Sequence, residues 1–251
     1  MNTAAYLERI NYDGSLEPTA ETLRALQVAH LRTVPFENLS IHHAEPIVLN
    51  EDALYTKIVE RKRGGFCYEC NGVFAGLLRT LGFEVAMLGA GVAHREGGFG
   101  PNFDHMALMV TLADRWLVDV GFGESFVEPL LLDSRDEQVQ QAGSFRIVDE
   151  DEHLVVMRRD DQGDWAPQYR FALQPYEFAD YEAMCHFHQT SPESHFTNNI
   201  ICSRLTEDGR ITLSGMKLVT TTGSRREEET LNSREEYDRI LHDQFGVVIK
   251  K

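Results

Sequence analysis

The period of the apolar positions changes once along this chain, near residue 83. Before that point they recur at helical intervals. Leu16 precedes a stretch, residues 19–32, in which Leu23, Leu26, Val28 and Leu31 recur at helical intervals, with Pro18 and Thr19 as its start signal. A shorter helix is expected over 3–11. EDALYTKIVER, residues 51–61, reads as one amphipathic helix, and the apolar run from Val73 to Leu81 as another. From Phe83 onward the apolar residues gather in short valine-rich runs divided by glycine: FEVAMLGAGVAH, HMALMVTL and RWLVDVGFG, then SFRIVDE, HLVVMRR and YRFALQP. These predict an antiparallel sheet or barrel from 83 to about 175, with ADR as a tight hairpin connection between the second and third runs. The remainder mixes both periods. Residues 176–190 predict a short helix, and Asp208-Gly209 predicts a hairpin between NIICSRLTE and RITLSG. Ser233 with Glu236 three positions on predicts the capped start of a last helix. The run REEET reads as a solvated face. The fold class is therefore α+β.

Length and composition admit one large domain or a few small ones sharing a core: 251 residues, 42% hydrophobic and 25% charged. A net charge of −16 argues against nucleic acid and against an anionic membrane surface as partners, since both need a basic face. It leaves room for an anionic small ligand in a locally positive pocket. The first residues carry charges and no apolar core of a signal peptide, and no window approaches a membrane span. A cytoplasmic protein is expected. Its four cysteines, 67, 70, 185 and 202, are too few for a disulfide scaffold.

The candidate chemistry centres on RGGFCYECN, residues 63–71. Gly64 and Gly65 form a turn that feeds a helix, so Cys67 stands at a helix start, where the dipole favours thiolate. A buried cysteine acting as a small hydrophobe is the plain alternative. A nucleophile needs a base, and the base an orienting acid. His105 opens the run HMALMV after a glycine-rich loop. Asp119 ends the neighbouring run as an acid among valines, at a separation suited to two strands joined by a hairpin. Each also has a structural reading, His105 as a strand cap and Asp119 as a turn former. Glu37, between Phe36 and Leu39, reads equally as a solvated loop charge or as a buried carboxylate paired with arginine. Cys67 and Cys70 spell CxxC, but neither a preceding strand nor a second cysteine knuckle supports a redox pair or a zinc site, and no metal is expected.

These segments resemble the arylamine N-acetyltransferase family. The resemblance rests on RGGFCYECN, PFENL at 35–39, the histidine of FDHMALMV, DVGFG at 119–123 followed by Pro129 and Leu130, and SHFTNNIICS and GRITLSG near the end. It spans nearly the whole chain in order. It implies a helical bundle over 1–82, a β-barrel over 83–185 and an α/β lid over 186–251, around a Cys-His-Asp core like that of cysteine proteases and transglutaminases. It implies ping-pong transfer, in which acetyl-CoA, a cosubstrate and not a tightly bound cofactor, acylates Cys67 and an arylamine or arylhydrazine nitrogen takes the acetyl group. His105 is then the ion-pair partner and base, Asp119 the orienting acid, and Arg63 with Glu37 a structural ion pair. Phe36, Phe122 and Phe126 match substrate-binding positions. Two residues depart from the pattern: Cys70, where leucine or histidine is usual, and Glu124, where relatives often carry a basic or small residue. Other readings are an amide synthase on the same fold, a cysteine hydrolase or transglutaminase-like enzyme, and a non-catalytic CoA-binding protein.

Overall fold

A computed structural model of the chain describes residues 1–159 and 162–249. The first part runs α1 (Thr3–Arg9), α2 (Ala20–Thr33), β1 (Phe36–Glu37), α3 (Leu39–His42), α4 (Glu51–Tyr55) and α5 (Cys67–Thr80). Helix α5 is the centre of this part. Every residue from Cys67 to Leu78 is buried, as expected of a helix with no polar face. Its shell includes Tyr6, Leu23, Leu26, Leu54 and Ile58. Thr19 caps α2 by accepting from the Thr22 amide, and Pro35 prevents that helix from running on.

Where one helix is expected over 51–61, α4 ends at Tyr55 and a π-helical turn, Thr56–Glu60, completes the stretch. The wider turn carries Lys57 into the interior, where its Nζ lies 2.7 Å from Glu69 Oε1. That buried partner on α5 accounts for a lysine inside an amphipathic pattern.

The middle part is β2 (Glu84–Val92), β3 (His105–Thr111), β4 (Arg115–Val118), β5 (Leu130–Leu131), β6 (Gln138–Gln140), β7 (Gly143–Glu150), β8 (His153–Arg159) and β9 (Trp165–Tyr176). They form one antiparallel sheet in the order β5-β4-β3-β2-β9-β8-β7-β6, curled into a nearly closed barrel. Its end strands meet through glutamine side chains instead of a backbone ladder. Gln138 accepts from the Leu131 amide and donates to the Leu131 carbonyl, and Gln140 accepts from the Val127 and Glu128 amides and donates to the Glu128 carbonyl. Both faces of β3 are covered. Met106, Leu108 and Val110 join the α5 core, while Ala107 joins the barrel core with Leu88, Phe145 and Tyr169. This explains why its sequence reads as a continuous apolar run.

The last part holds α6 (Phe178–Thr190), α7 (His195–Asn198), β10 (Ile201–Leu205), β11 (Gly209–Ser214), β12 (Lys217–Thr222), β13 (Arg225–Thr230) and α8 (Arg234–Phe245). The turn at Asp208-Gly209 joins β10 to β11, and Ser233 caps α8 through the Glu236 amide. The sheet order is β1-β10-β11-β12-β13, so β1, from the helical part, completes the sheet of the last. The expected boundary between 185 and 186 falls inside α6, whose Tyr181 and Cys185 pack into the α5 core. REEET belongs to β13, an exposed edge strand whose charges keep that edge from pairing with another chain.

Candidate active site

The site is assembled where the start of α5 meets the β3–β4 hairpin. The approach to α5 is fixed by β1. The Glu37 amide donates to the Gly65 carbonyl at 2.9 Å, and a Cβ on Gly64 would lie 1.9 Å from the Pro35 carbonyl oxygen. Only glycine fits there. Beneath this crossing Arg63 and Glu37 are both buried. Arg63 Nη2 lies 2.8 Å from Glu37 Oε1, and the other carboxylate oxygen accepts from the Leu39 amide at 2.7 Å. Arg63 also reaches Glu45 and Ser40, and Arg61 closes on Glu45 as well. On the other side of the turn, Glu69 accepts from the Phe66 amide, capping the helix whose first residue is Cys67. Two buried ion pairs thus hold the turn before Cys67 from both sides.

His105 and Asp119 come from the hairpin. Leu108 pairs with Val118, so Asp119 falls opposite Ala107 and on the same face as His105. His105 Nε2 lies 2.7 Å from Asp119 Oδ2, and both residues are buried. The second oxygen, Oδ1, accepts from the Gly121 amide and from Asn71 Nδ2, each at 2.9 Å. Asn71 also donates to the Met106 carbonyl and accepts from the Val120 amide. One side chain, a helical turn beyond Cys67, therefore ties α5 to both strands of the hairpin. Asn71 lies within the RGGFCYECN stretch, yet its partners are 35 to 49 residues away, and no local signal marks it.

Gly121 closes the site over Cys67: a Cβ there would lie 2.7 Å from the Cys67 Cα. Cys67 is 3% exposed. Burial pushes its thiol well above the usual cysteine value, and the Asp104 and Asp119 carboxylates add to that, while the Met106 amide acts the other way. The helix dipole expected to favour thiolate is thus opposed by desolvation, and ionisation of Cys67 requires a cation beside it. Cys70 is fully buried and its thiol donates to the Gly65 carbonyl at 3.1 Å; burial raises its pKa too.

Of the three expected substrate-binding phenylalanines, Phe36 and Phe122 are half-buried and Phe126 is not on their wall. Phe122 meets His105 edge-on at 5.1 Å and packs against Tyr169. Phe36 lies on β1 at 6.2 Å from Phe196. Phe126 is 1% exposed in the barrel core, edge-on to Phe145, so it presents no free surface. Two aromatic residues outside the expected set belong to the site. Tyr169, from β9, lies 5.1 Å from the His105 ring, and Phe196, from α7, reaches Phe36 and Phe66. Glu124 is exposed and paired with Arg158 at 3.0 Å, so its charge is answered locally. That pair stands at the rim of a cleft of about 950 Å³ that Arg24, Ser125 and Arg210 also line. Cys67, His105 and Asp119 lie outside this cleft.

Comparison with known proteins agrees with this architecture. A family model described as N-acetyltransferase matches residues 19–251. The pineal gland arylamine N-acetyltransferase isozyme NAT-3 of Gallus gallus is 36% identical over all of this chain and 96% of its own length. The arylamine N-acetyltransferase of Mycolicibacterium smegmatis is 32% identical over 98% of this chain and 92% of its own. The solved structure of the Mycobacterium marinum arylamine N-acetyltransferase in complex with CoA superposes with a TM-score of 0.91 at 32% identity, over 98% of this chain and 92% of that one. Sequence, fold and extent agree, and the chain belongs to the arylamine N-acetyltransferase family, an acyltransferase family.

Proposed function

We propose that the chain transfers the acetyl group of acetyl-CoA through a thioester on Cys67 to the nitrogen of an arylamine or arylhydrazine. The observation that carries this reading is the buried His105–Asp119 pair beside a helix whose first residue is Cys67. In the first half-reaction the Cys67 sulfur attacks the acetyl carbonyl carbon. The Cys67 and Tyr68 amides, which open α5 without intrahelical acceptors, are the candidate donors to the oxyanion. The bond to the CoA sulfur breaks, and the proton that His105 took from Cys67 goes to the leaving thiolate. In the second half-reaction the amine nitrogen attacks the thioester carbonyl, His105 accepts the proton lost from nitrogen, and Cys67 leaves as thiolate.

Asp119 holds the imidazole with Nε2 toward its carboxylate, which leaves Nδ1 to face the reacting atoms and stabilises the imidazolium once formed. That imidazolium is the cation which a buried thiolate at Cys67 requires. Phe36, Phe122 and Phe196 supply flat apolar surface suited to an aromatic acceptor. The test uses acetyl-CoA without acceptor. One acetyl group is expected on Cys67 by peptide mass spectrometry, and addition of an anisidine or a hydrazine is expected to remove it. An intact protein that gains no adduct, or a Cys67→Ser variant that transfers acetyl as well as the parent, rules the mechanism out.

A further inference from the structure

Asparagine is a preferred residue at the start of a helix, where its side chain accepts from an amide of the first turn. Asn38 stands directly before α3 and makes no such bond. The Leu39 amide goes instead to the Glu37 carboxylate, and the Asn38 side chain, 1% exposed, reaches across to the last part of the chain. Its Nδ2 donates to the Phe196 carbonyl at 2.9 Å and to the Asn199 carbonyl at 2.6 Å, and its Oδ1 accepts from the Ile201 amide at 2.9 Å. Two carbonyls on one side and an amide on the other fix which way the side-chain amide lies, and both of its N–H groups are used.

What these bonds hold is a turn that cannot hold itself. Helix α7 has four residues, too few to be stable alone. The hydrogen bonds of its own side chains are local: Thr197 donates to the Ser191 carbonyl, and Asn198 to those of Pro192 and Ser194. Asn38 ties this turn to β1. Its backbone strengthens the tie, the amide donating to the Ile201 carbonyl at 3.3 Å just beyond the point where Glu37 pairs with Cys202. The residue so held, Phe196, is half-buried, and its ring meets Phe36 of β1 at 6.2 Å and Phe66 at 5.6 Å. Asn38 lies two residues beyond Phe36, so one asparagine fixes Phe196 with respect to Phe36. We propose that Asn38 is a positioning residue for acceptor specificity: by holding the Phe196 and Asn199 carbonyls it keeps the Phe196 ring against Phe36, and this joint aromatic wall selects a nitrogen carried on a flat ring over one that is not. The assignment rests on the transfer reaction proposed above. The His105–Asp119 pair is set by Asn71 and the β3–β4 hairpin and not by α7, so loss of Asn38 is expected to spare acetylation of Cys67.

The test separates the two half-reactions. Cys67 is first acetylated with acetyl-CoA, and removal of the acetyl group is then timed with an anisidine and with hydrazine, which has no ring. Asn38→Ala keeps the backbone bond to Ile201 and takes no cap bond from α3. It is expected to acetylate Cys67 and to react with hydrazine at the parent rates, and to react with the anisidine about tenfold more slowly. Asn38→Asp, which keeps the acceptor for the Ile201 amide and withdraws the N–H donors, is expected to do the same. Phe196→Ala is expected to lose the preference by itself, and Asn38→Ala added to it to change the ratio of the two acceptors no further. Equal slowing of both acceptors in the Asn38 variants, or losses that multiply in the double variant, mark a general structural role and overturn the proposal. An unchanged ratio in Phe196→Ala also overturns it, even where the Asn38 variants fail to fold. A parent protein that takes up no acetyl group on Cys67 overturns the transfer reading and this inference with it; a parent that is acetylated, with variants that keep its ratio, overturns this inference alone.

Discussion

Asn71 sets the orientation of Asp119 from the helix that carries Cys67. Asn71→Ala removes hydrogen bonds to the Met106 carbonyl, the Val120 amide and Asp119, so that the Val120 amide and Met106 carbonyl lose that buried partner and Asp119 Oδ1 keeps only the Gly121 amide. A loss of about 1–3 kcal/mol is expected, or about ten- to a hundredfold in the acylation rate, with CoA affinity little changed. Single-turnover acetylation of Cys67 measures it, and an unchanged rate shows that Asp119 holds its place without Asn71. His105→Gln and Asp119→Asn are expected to lose acylation while retaining a native circular dichroism spectrum. Cys67 that still alkylates readily at pH 6 in His105→Gln would show that His105 does not ionise it. At this scale the sequence was informative where a residue's position in the fold depends on its neighbours in the chain. Cys67 after two glycines and Asp119 at a strand end are readable that way. Asn71, Tyr169 and Phe196 are not, because every partner that defines them lies on another element.

Helix α2 carries a buried histidine that makes stability depend on pH. His30 is wholly buried, 3.0 Å from the Tyr6 hydroxyl and edge-on to Phe74. Burial, helped by the nearby Arg9 charge, lowers its pKa from 6.5 to about 3. The folded state therefore refuses a proton that the unfolded chain accepts. The contribution is fully present above about pH 6.5 and is lost as pH falls toward about 3, at no more than about 1.4 kcal/mol per pH unit. Urea midpoints at several pH values are expected to fall less steeply for His30→Gln than for the wild type; parallel curves would show that the folded histidine takes up its proton after all. The turn before α5 depends on ion pairs in the same interior. Arg63→Met leaves Glu37 buried without its cation, and a loss of about 3–5 kcal/mol is expected in urea unfolding. Strong helical periods and cap residues made α2, α5 and α8 legible from sequence. The π-helical turn was not, since a period of 3.6 gives no reason to place Lys57 inside until Glu69 is known to wait for it.

At the scale of the whole molecule the described residues form three cores, one around α5, one inside the barrel and one between the last sheet and α8. The change of period near residue 83 reports the passage from the first core to the second. The sharing of elements between parts is absent from the sequence pattern. A two-residue β1 joins the first part to the last sheet, and α6 returns to the first core. Neither is long enough, or placed suggestively enough, to announce its partner. The same holds for β5 and β6, too short to alternate, and for β13, which has no apolar face.

The glutamine seam between β5 and β6 governs how this barrel fluctuates. Elsewhere around the ring, an amide is freed only when a backbone ladder separates. At the seam, the amides of Val127, Glu128 and Leu131 are released by rotation of a single side chain. These three are expected to exchange with deuterium far sooner than the β2–β3 amides, and Gln140→Ala to hasten the exchange at Val127 and Glu128 with little effect on Leu131. The seam lies on the segment that leads away from Asp119 and Phe122 toward the cleft lined by Arg158 and Arg210. A wall of that cleft can therefore move on the timescale of a side-chain rotation while the strands that hold His105 and Asp119 stay paired.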